Sequence, residues 1–178
     1  MQSGSNLSRR SYFLAVCAVA AYLLSGCGPQ KFRPKVYQLG DKAEVPPFSI
    51  QIVDTNWFNQ LPGNGSPRVP NRRFFVLHVS ATNTGKEEAS MPTLSLLAGD
   101  TERYEELHDG AGIENWLGLV RRVKPGQSLD GRIVFDAPPQ TYQLRIGDDY
   151  DEQNIALVDL PLEFKNLDQR VDPPVAGQ

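Results

Sequence analysis

The sequence predicts an all-β sandwich of about seven to eight short strands, and three observations support this fold class. Apolar and polar residues alternate over much of residues 37–165, which is typical of strands with one buried face. Glycine, proline and asparagine separate these stretches at short intervals. No stretch repeats its apolar residues with the period of a helix. A closed barrel is the alternative architecture.

The first half of this region predicts four strands. Residues 48–52 place Phe48, Ile50 and Ile52 on one face. Residues 73–82 are apolar on both faces near their start, which predicts a central strand covered on both sides there. The sequence NTGK at 83–86 predicts the following turn, because asparagine and glycine tolerate positive φ angles. Residues 94–97 and 101–104 predict a hairpin closed at Gly99-Asp100.

The second half predicts one irregular stretch and three further strands. Residues 109–119 contain two glycines and predict a loop, with one helical turn around 114–117. The sequence VKPGQ at 123–127 predicts a type II turn, since proline precedes glycine at its central positions. Alternating patterns return at residues 129–135, 142–146 and 155–164.

The start of the chain is typical of an export signal. Arg9 and Arg10 precede an uncharged apolar run over residues 12–24. As a helix this run spans about 20 Å, less than the roughly 30 Å of a bilayer's hydrocarbon core, so we expect it to be cleaved. The motif SRRSYFL around the two arginines resembles a twin-arginine export signal, and general secretion is the alternative route.

The sequence LSGC at 24–27 resembles the lipobox of bacterial lipoproteins. It predicts cleavage between Gly26 and Cys27 and attachment of lipid to the Cys27 thiol, a strong nucleophile. Several acyl chains on one residue hold a protein on a membrane without a spanning helix. An ordinary cleaved signal is the alternative. The predicted location is the cell envelope, lipid-anchored in the outer membrane or on the outer face of the cytoplasmic membrane.

The predicted organisation is a signal peptide at 1–26, a flexible tether at 27–36, one sandwich domain at 37–165 and a disordered tail at 166–178. Cys17 would leave with the signal and Cys27 would carry lipid, so the mature chain would contain no free thiol or disulfide. The net charge of −3 is spread over scattered residues, which predicts no nucleic-acid partner.

Two irregular stretches contain candidate contact residues for an envelope protein partner. Trp57 and Phe58 open the first, and Trp116 lies in the second, followed by Arg121. If the two stretches meet at one end of the sandwich, they form an aromatic patch with arginines, a composition favoured at protein interfaces. The alternative is that both tryptophans close the ends of the core.

An acidic cluster offers a candidate metal site, formed by Asp148, Asp149, Asp151 and Glu152. Carboxylates at such spacing could bind calcium, but the twelve-residue loop pattern is missing, so a solvated loop is the simpler interpretation. His78 and His108 lack the paired spacing of zinc ligands. No phosphate loop or nucleophile motif occurs, and the sequence predicts no cofactor and no enzyme activity.

Three segments resemble a family of immunoglobulin-like extracellular domains: residues 74–87, 123–138 and 142–146. Members are often bacterial lipoproteins and are related in fold to secreted immunoprotective antigens. In that family a hydrophobic strand ends in an Asn-x-Gly turn, and a Pro-Gly-x-Ser turn leads into a strand closing with Phe-Asp-x-Pro. The resemblance implies an immunoglobulin-like antiparallel β-sandwich over roughly residues 37–164.

The same resemblance implies a surface-tethered sandwich that is usually non-enzymatic and mostly without an assigned ligand. Taken together with the lipobox, it leads us to predict a non-catalytic protein-interaction or structural module, attached to the membrane through lipid on Cys27. The alternative is an envelope lipoprotein that binds a small ligand or calcium. The sequence departs from the family pattern at residues 59–71 and 105–119, so contacts of relatives do not transfer to those two segments.

Overall fold

All regular secondary structure in the described part of the chain is β. The computed structural model describes residues 33–63, 65–99, 101–147, 151 and 153–163. The strands are β1 Lys35–Gln38, β2 Lys42–Val45, β3 Phe48–Phe58, β4 Phe74–Asn83, β5 Ala89–Ser90, β6 Leu94–Ala98, β7 Glu102–Glu105, β8 Arg122–Val123, β9 Ser128–Asp136, β10 Tyr142–Ile146 and β11 Ala156–Leu160. Within those ranges, no helix is long and apolar enough to cross a membrane.

The strands form two facing sheets, which confirms the predicted sandwich. The five-stranded sheet has the order β1-β11-β10-β6-β7, and the four-stranded sheet has the order β2-β3-β4-β9. A third, two-stranded ladder joins β5 to β8. Every pair is antiparallel except β1 with β11. The pairing of β4 with β9 in one sheet, and of β10 with β6 and β11 in the other, is the immunoglobulin-like arrangement.

The main core lies between the inner faces of the two sheets. Its largest fully buried side chains include Phe48, Phe75, Phe135, Leu96 and Leu144. The alternation of β4 places Phe75 inward and Phe74 outward, and both are buried. Phe74 belongs to a second, smaller cluster on the outer face of the four-stranded sheet. The prediction of a central strand covered on both sides near its start is therefore confirmed.

Several boundaries differ from the sequence predictions. The described residues form eleven strands and not seven to eight, because β1, β2, β5 and β8, of two to four residues each, are too short to give a recognisable pattern. β1 begins at Lys35, inside the predicted tether. The helical turn predicted around residues 114–117 is wrong. Leu117 N–H donates to Arg132 O at 2.9 Å, and Arg132 N–H donates to Asn115 O at 2.8 Å, so this segment runs along the edge of β9 instead.

The two turns that carry the family resemblance are joined through one buried side chain, that of Asn83. Its Nδ2 donates to Glu87 O and Val123 O at 2.8 Å each, and its Oδ1 accepts the Gly85 N–H at 2.8 Å. Its backbone N–H donates to Gln127 O, and its backbone carbonyl accepts from Gly126 N–H. Asn83 therefore fastens the turn after β4 to the turn before β9.

The second of these turns has the predicted type II geometry. Gln127 N–H donates to Lys124 O at 3.0 Å, and Gly126 has a φ of 71°. The reason for glycine in the first turn was wrong, because Gly85 is not among the residues with positive φ. A Cβ at Gly85 would lie 2.8 Å from Pro47 Cβ, so close packing requires glycine there.

Tyr142 fixes the crossing from the four-stranded to the five-stranded sheet. Its hydroxyl donates to Pro138 O at 2.5 Å, four residues upstream, and accepts from Gln140 Nε2 at 3.2 Å. A tyrosine at the start of this strand that bonds back to upstream backbone is the tyrosine corner of immunoglobulin-like sandwiches. Burial raises the pKa of Tyr142 to about 12, so its hydroxyl remains protonated at neutral pH.

Candidate functional site

Trp57 belongs to the core and not to a surface loop. It lies in β3 and stacks on Phe75, with ring centroids 4.1 Å apart and an interplanar angle of 15°. Its ring is also 6.4 Å from that of Tyr142. The prediction that Trp57 opens a contact loop is therefore wrong. The alternative, that its ring closes the core, is the one observed.

Arg121 is likewise unavailable to a partner, because it is only 2% exposed. Its guanidinium forms a two-point ion pair with the buried carboxylate of Glu106, and its Nε donates to Gly118 O. Glu106 also accepts the Leu94 N–H. Burial removes two charges from water, and this geometry compensates by pairing them. Arg121 thus holds the 106–121 segment in place, which corrects its assignment as a contact residue.

Phe58 and Trp116 lie on the outer side of the four-stranded sheet. Phe58 is opposite Phe74 in the β3–β4 register and is 39% exposed. Trp116 pairs with Arg132 on β9, and its half-buried ring packs against Gly110, where a Cβ would lie 2.0 Å from the indole. Of the four residues of the predicted patch, these two therefore lie on the outer side of the sheet, whereas Trp57 faces the core.

The two segments predicted to depart from the family pattern pack against each other over this outer face. We call their described residues, 59–63, 65–71 and 105–119, together with Phe58, the insertion platform. Arg68 connects its halves: its guanidinium lies 5.0 Å from the Phe74 ring centroid, donates to Ala111 O at 3.2 Å and pairs with Asp109 at 3.6 Å.

Apolar contacts and close backbone packing complete the platform. Leu61, Leu107 and Ile113 cover the small outer cluster around Phe74 and Val134. A Cβ at Gly112 would lie 2.1 Å from Pro62 O, so the two segments touch through backbone. Next to Arg68, Val69 is 73% exposed. The platform is thus an ordered layer that presents exposed apolar groups.

A polar cluster lies farther along the same outer face. His78 on β4 contacts Asp130 on β9 through Nε2 at 2.9 Å and Asp54 on β3 through Nδ1 at 3.4 Å. The hydrogen bond with Asp130 is the largest cause that raises the pKa of His78 above its usual 6.5, against an opposing effect of burial. The ring is satisfied on both nitrogens by carboxylates, so it joins three strands and offers no free ligand atom.

A cleft of about 680 Å³ opens at one end of the five-stranded sheet. Its walls include Leu39 and Leu97, and its polar groups come from neighbouring strands: Gln38 on β1, Asp159 on β11 and Gln143 on β10. The Asp159 carboxylate accepts from Gln38 Nε2 at 3.1 Å and from Gln143 Nε2 at 2.9 Å. Sequence analysis missed these three residues, since alternation places them on outer faces but does not reveal which strands are neighbours.

The remaining predicted sites lie wholly or mostly outside the described residues. These are Gly26 and Cys27 at the cleavage site, and Asp148, Asp149 and Glu152 of the acidic cluster. Asp151 is exposed, and its carboxylate accepts the Gln153 N–H at 3.1 Å, as in a local turn. In the parts of the chain that the structure covers, no three His, Cys, Asp or Glu side chains gather as metal ligands.

Comparison with known proteins identifies a family and a fold. Residues 37–155 match the model of a family described as a domain of unknown function (DUF4352). A search among curated proteins gives no match.

Three solved structures share the sandwich. The Bacillus subtilis protein yjhA has a TM-score of 0.54 and 11% identity over 70% of this chain and 98% of its own. The B. subtilis lipoprotein candidate ycdA has a TM-score of 0.53 and 15% identity over 72% of this chain and 40% of its own. The secreted protein MPT63 of Mycobacterium tuberculosis has a TM-score of 0.50 and 14% identity over 70% and 98%. At these identities the likeness concerns the fold alone.

Proposed function

Because the chain belongs to the DUF4352 family, whose description assigns no activity, we propose a function from its own geometry. In this proposal the protein is an exported lipoprotein that is anchored through Cys27. Its sandwich is a non-catalytic module that binds an envelope protein through the insertion platform. The observation that carries this proposal is the ordered contact between the two platform segments, made by Arg68 with Asp109 and Ala111 above the ring of Phe74.

Order and exposure together distinguish the platform from an ordinary loop. A loop that is already fixed loses little conformational entropy when it binds, which favours affinity. The platform is fixed by the Arg68 contacts and by the buried Arg121–Glu106 pair at its end. It nevertheless leaves Phe58 39% exposed and Val69 73% exposed, and exposed apolar groups beside an arginine suit a protein interface.

The direction of the strands places the platform far from the start of the domain. The chain enters β1 at Lys35, which pairs with Ala156 at the start of β11. Asn154 Nδ2 donates to Pro46 O at 2.7 Å, so the β2–β3 turn lies at this same end. β3 then runs away over 11 residues, about 36 Å at ~3.3 Å per residue, to Phe58. Phe58 therefore lies at the opposite end of the sandwich from the point where the chain enters β1.

The partner surface is tested by site-specific photo-crosslinking in living cells of the bacterium whose genome encodes the protein. A photoreactive phenylalanine analogue at Phe58 or Val69 should give a crosslinked product of one discrete mass. The matched control is Val36 on the five-stranded sheet, which is 47% exposed and should give none. Equal products at all three positions, or none at Phe58 and Val69, would refute the platform as the contact surface.

The anchor is tested separately by metabolic labelling with a radioactive fatty acid. Cys27→Ser should abolish the label, because the thiol that accepts the lipid is removed. Cys17→Ser is the matched control and should still be labelled. A Cys27→Ser chain that retains the label would disprove the anchor without bearing on the platform.

A further inference from the structure

The cleft on the five-stranded sheet has the size of a small-ligand site. Its volume of about 680 Å³ falls within the range of about 300–1,000 Å³ that is usual for such sites. It is formed by a different sheet from the one that carries the insertion platform. The residues that line this cleft are therefore different from those of the protein contact proposed above.

Two amide side chains in the cleft are held in fixed positions by one carboxylate. Gln38 Nε2 and Gln143 Nε2 donate to different oxygens of Asp159, at 3.1 and 2.9 Å. Among the described residues, no other hydrogen bond engages either amide. Each glutamine therefore offers an oriented carbonyl oxygen as acceptor and a second N–H as donor.

The charge of the lining selects against two classes of ligand. Its ionisable carboxylates are Asp159 and Glu163, and the described lining residues include no lysine, arginine or histidine. An anion such as a phosphate would meet only like charge. A cation would have to compete with the two amides for the oxygens of Asp159. The lining therefore favours a neutral ligand that both donates and accepts hydrogen bonds.

We propose that this cleft binds a neutral saccharide. Adjacent sugar hydroxyls each donate and accept, and a fixed amide provides the complementary donor and acceptor side by side. The hydroxyl of Thr141 adds a further polar group. The side chains of Leu39, Leu97 and Pro161 supply apolar surface for the C–H faces of a sugar ring.

The test is saturation-transfer difference NMR on the full-length protein in a detergent without a sugar head group, with cellobiose and N,N′-diacetylchitobiose as probes. At least one disaccharide should give a saturable signal. Gln143→Ala removes one amide and should weaken binding about tenfold, the effect of losing one or two hydrogen bonds. Gln127→Ala, which changes an exposed glutamine at the opposite end of the sandwich, should bind as the wild type does.

Folding of each variant is checked by its urea midpoint, and Gln38→Ala provides a second, more exposed substitution if Gln143→Ala is unstable. Absence of saturable binding of both disaccharides to the wild type would overturn the proposal. So would unchanged binding in a folded Gln143→Ala or Gln38→Ala, or equal loss in Gln127→Ala.

Discussion

Asn83 should be among the most sensitive positions of the domain, because its side chain joins two turns that are distant in sequence. Asn83→Ala removes three side-chain hydrogen bonds and leaves Gly85 N–H and the carbonyls of Glu87 and Val123 without that partner. At about 1 kcal/mol for each buried bond, the expected loss is about 3 kcal/mol of unfolding free energy. That is a large part of the roughly 5–15 kcal/mol that stabilises a typical domain.

Asn83→Asp separates hydrogen bonding from shape, since the two side chains have almost the same size. The aspartate keeps the acceptor for Gly85 N–H but points an oxygen at the Glu87 and Val123 carbonyls, where the amide donated. Repulsion and burial of charge should make this variant lose at least about 3 kcal/mol, as much as alanine or more.

Urea denaturation at neutral pH measures both losses, with Asn59→Ala as the matched control. Asn59 is exposed, so its replacement should change the unfolding free energy by less than about 0.5 kcal/mol. If Asn83→Asp unfolds at the wild-type midpoint, the side-chain bonds do not hold the turns together and the reasoning is wrong.

Three further predictions concern buried or paired polar groups. Since its hydrogen bond with Asp130 raises the pKa of His78 above 6.5, protonation stabilises the fold. This contribution is complete below 6.5 and is lost as pH rises through the folded pKa, so urea midpoints should fall over that window in the wild type but not in His78→Gln. Glu106→Gln leaves the Arg121 cation buried without a counter-charge and should cost about 3–5 kcal/mol by urea denaturation, against less than about 1 kcal/mol for the exposed Glu105→Gln. Tyr142→Phe should cost about 1 kcal/mol for the lost bond to Pro138 O. In an absorbance titration of the tyrosines, Tyr142→Phe should also lack the phenolate step near pH 12.

The long alternating segments of the sequence predicted the strands correctly, because one buried face imposes a period of two. β10 was predicted with its observed bounds, and the cores of β4 and β9 were predicted within one residue of theirs. The type II turn before β9 was also predictable, since proline and glycine restrict the backbone locally. These features depend on residues close together in the chain.

The position of Trp57 was not predictable because a bulge reverses the alternation of β3. Phe48, Ile50 and Ile52 face the core, and the register with β4 shifts between Ile52 and Asp54. After the shift Thr55 and Trp57 face inward, and Val53 at the bulge is 44% exposed. An uninterrupted period of two would have placed Trp57 on the outer face.

The position of Arg121 and the extended form of residues 115–117 depended on tertiary partners. Glu106, the partner of Arg121, lies 15 residues earlier, and sequence offers no rule for pairing two charges within an irregular segment. Residues 115–117 run along β9 because its edge offers unpaired backbone groups at Arg132, which local helix propensity does not reveal.

The motifs that carry the family resemblance are explained by structure alone, which bears on where function can lie. The Asn-x-Gly and Pro-Gly-x-Ser turns bond to each other through Asn83, and the residues after Phe135 lead to the corner fixed by Tyr142. In this chain these contacts hold the sandwich together, whatever it binds. We therefore look for specificity among residues that the fold does not require, and propose for it the exposed groups of the insertion platform and the amides around Asp159.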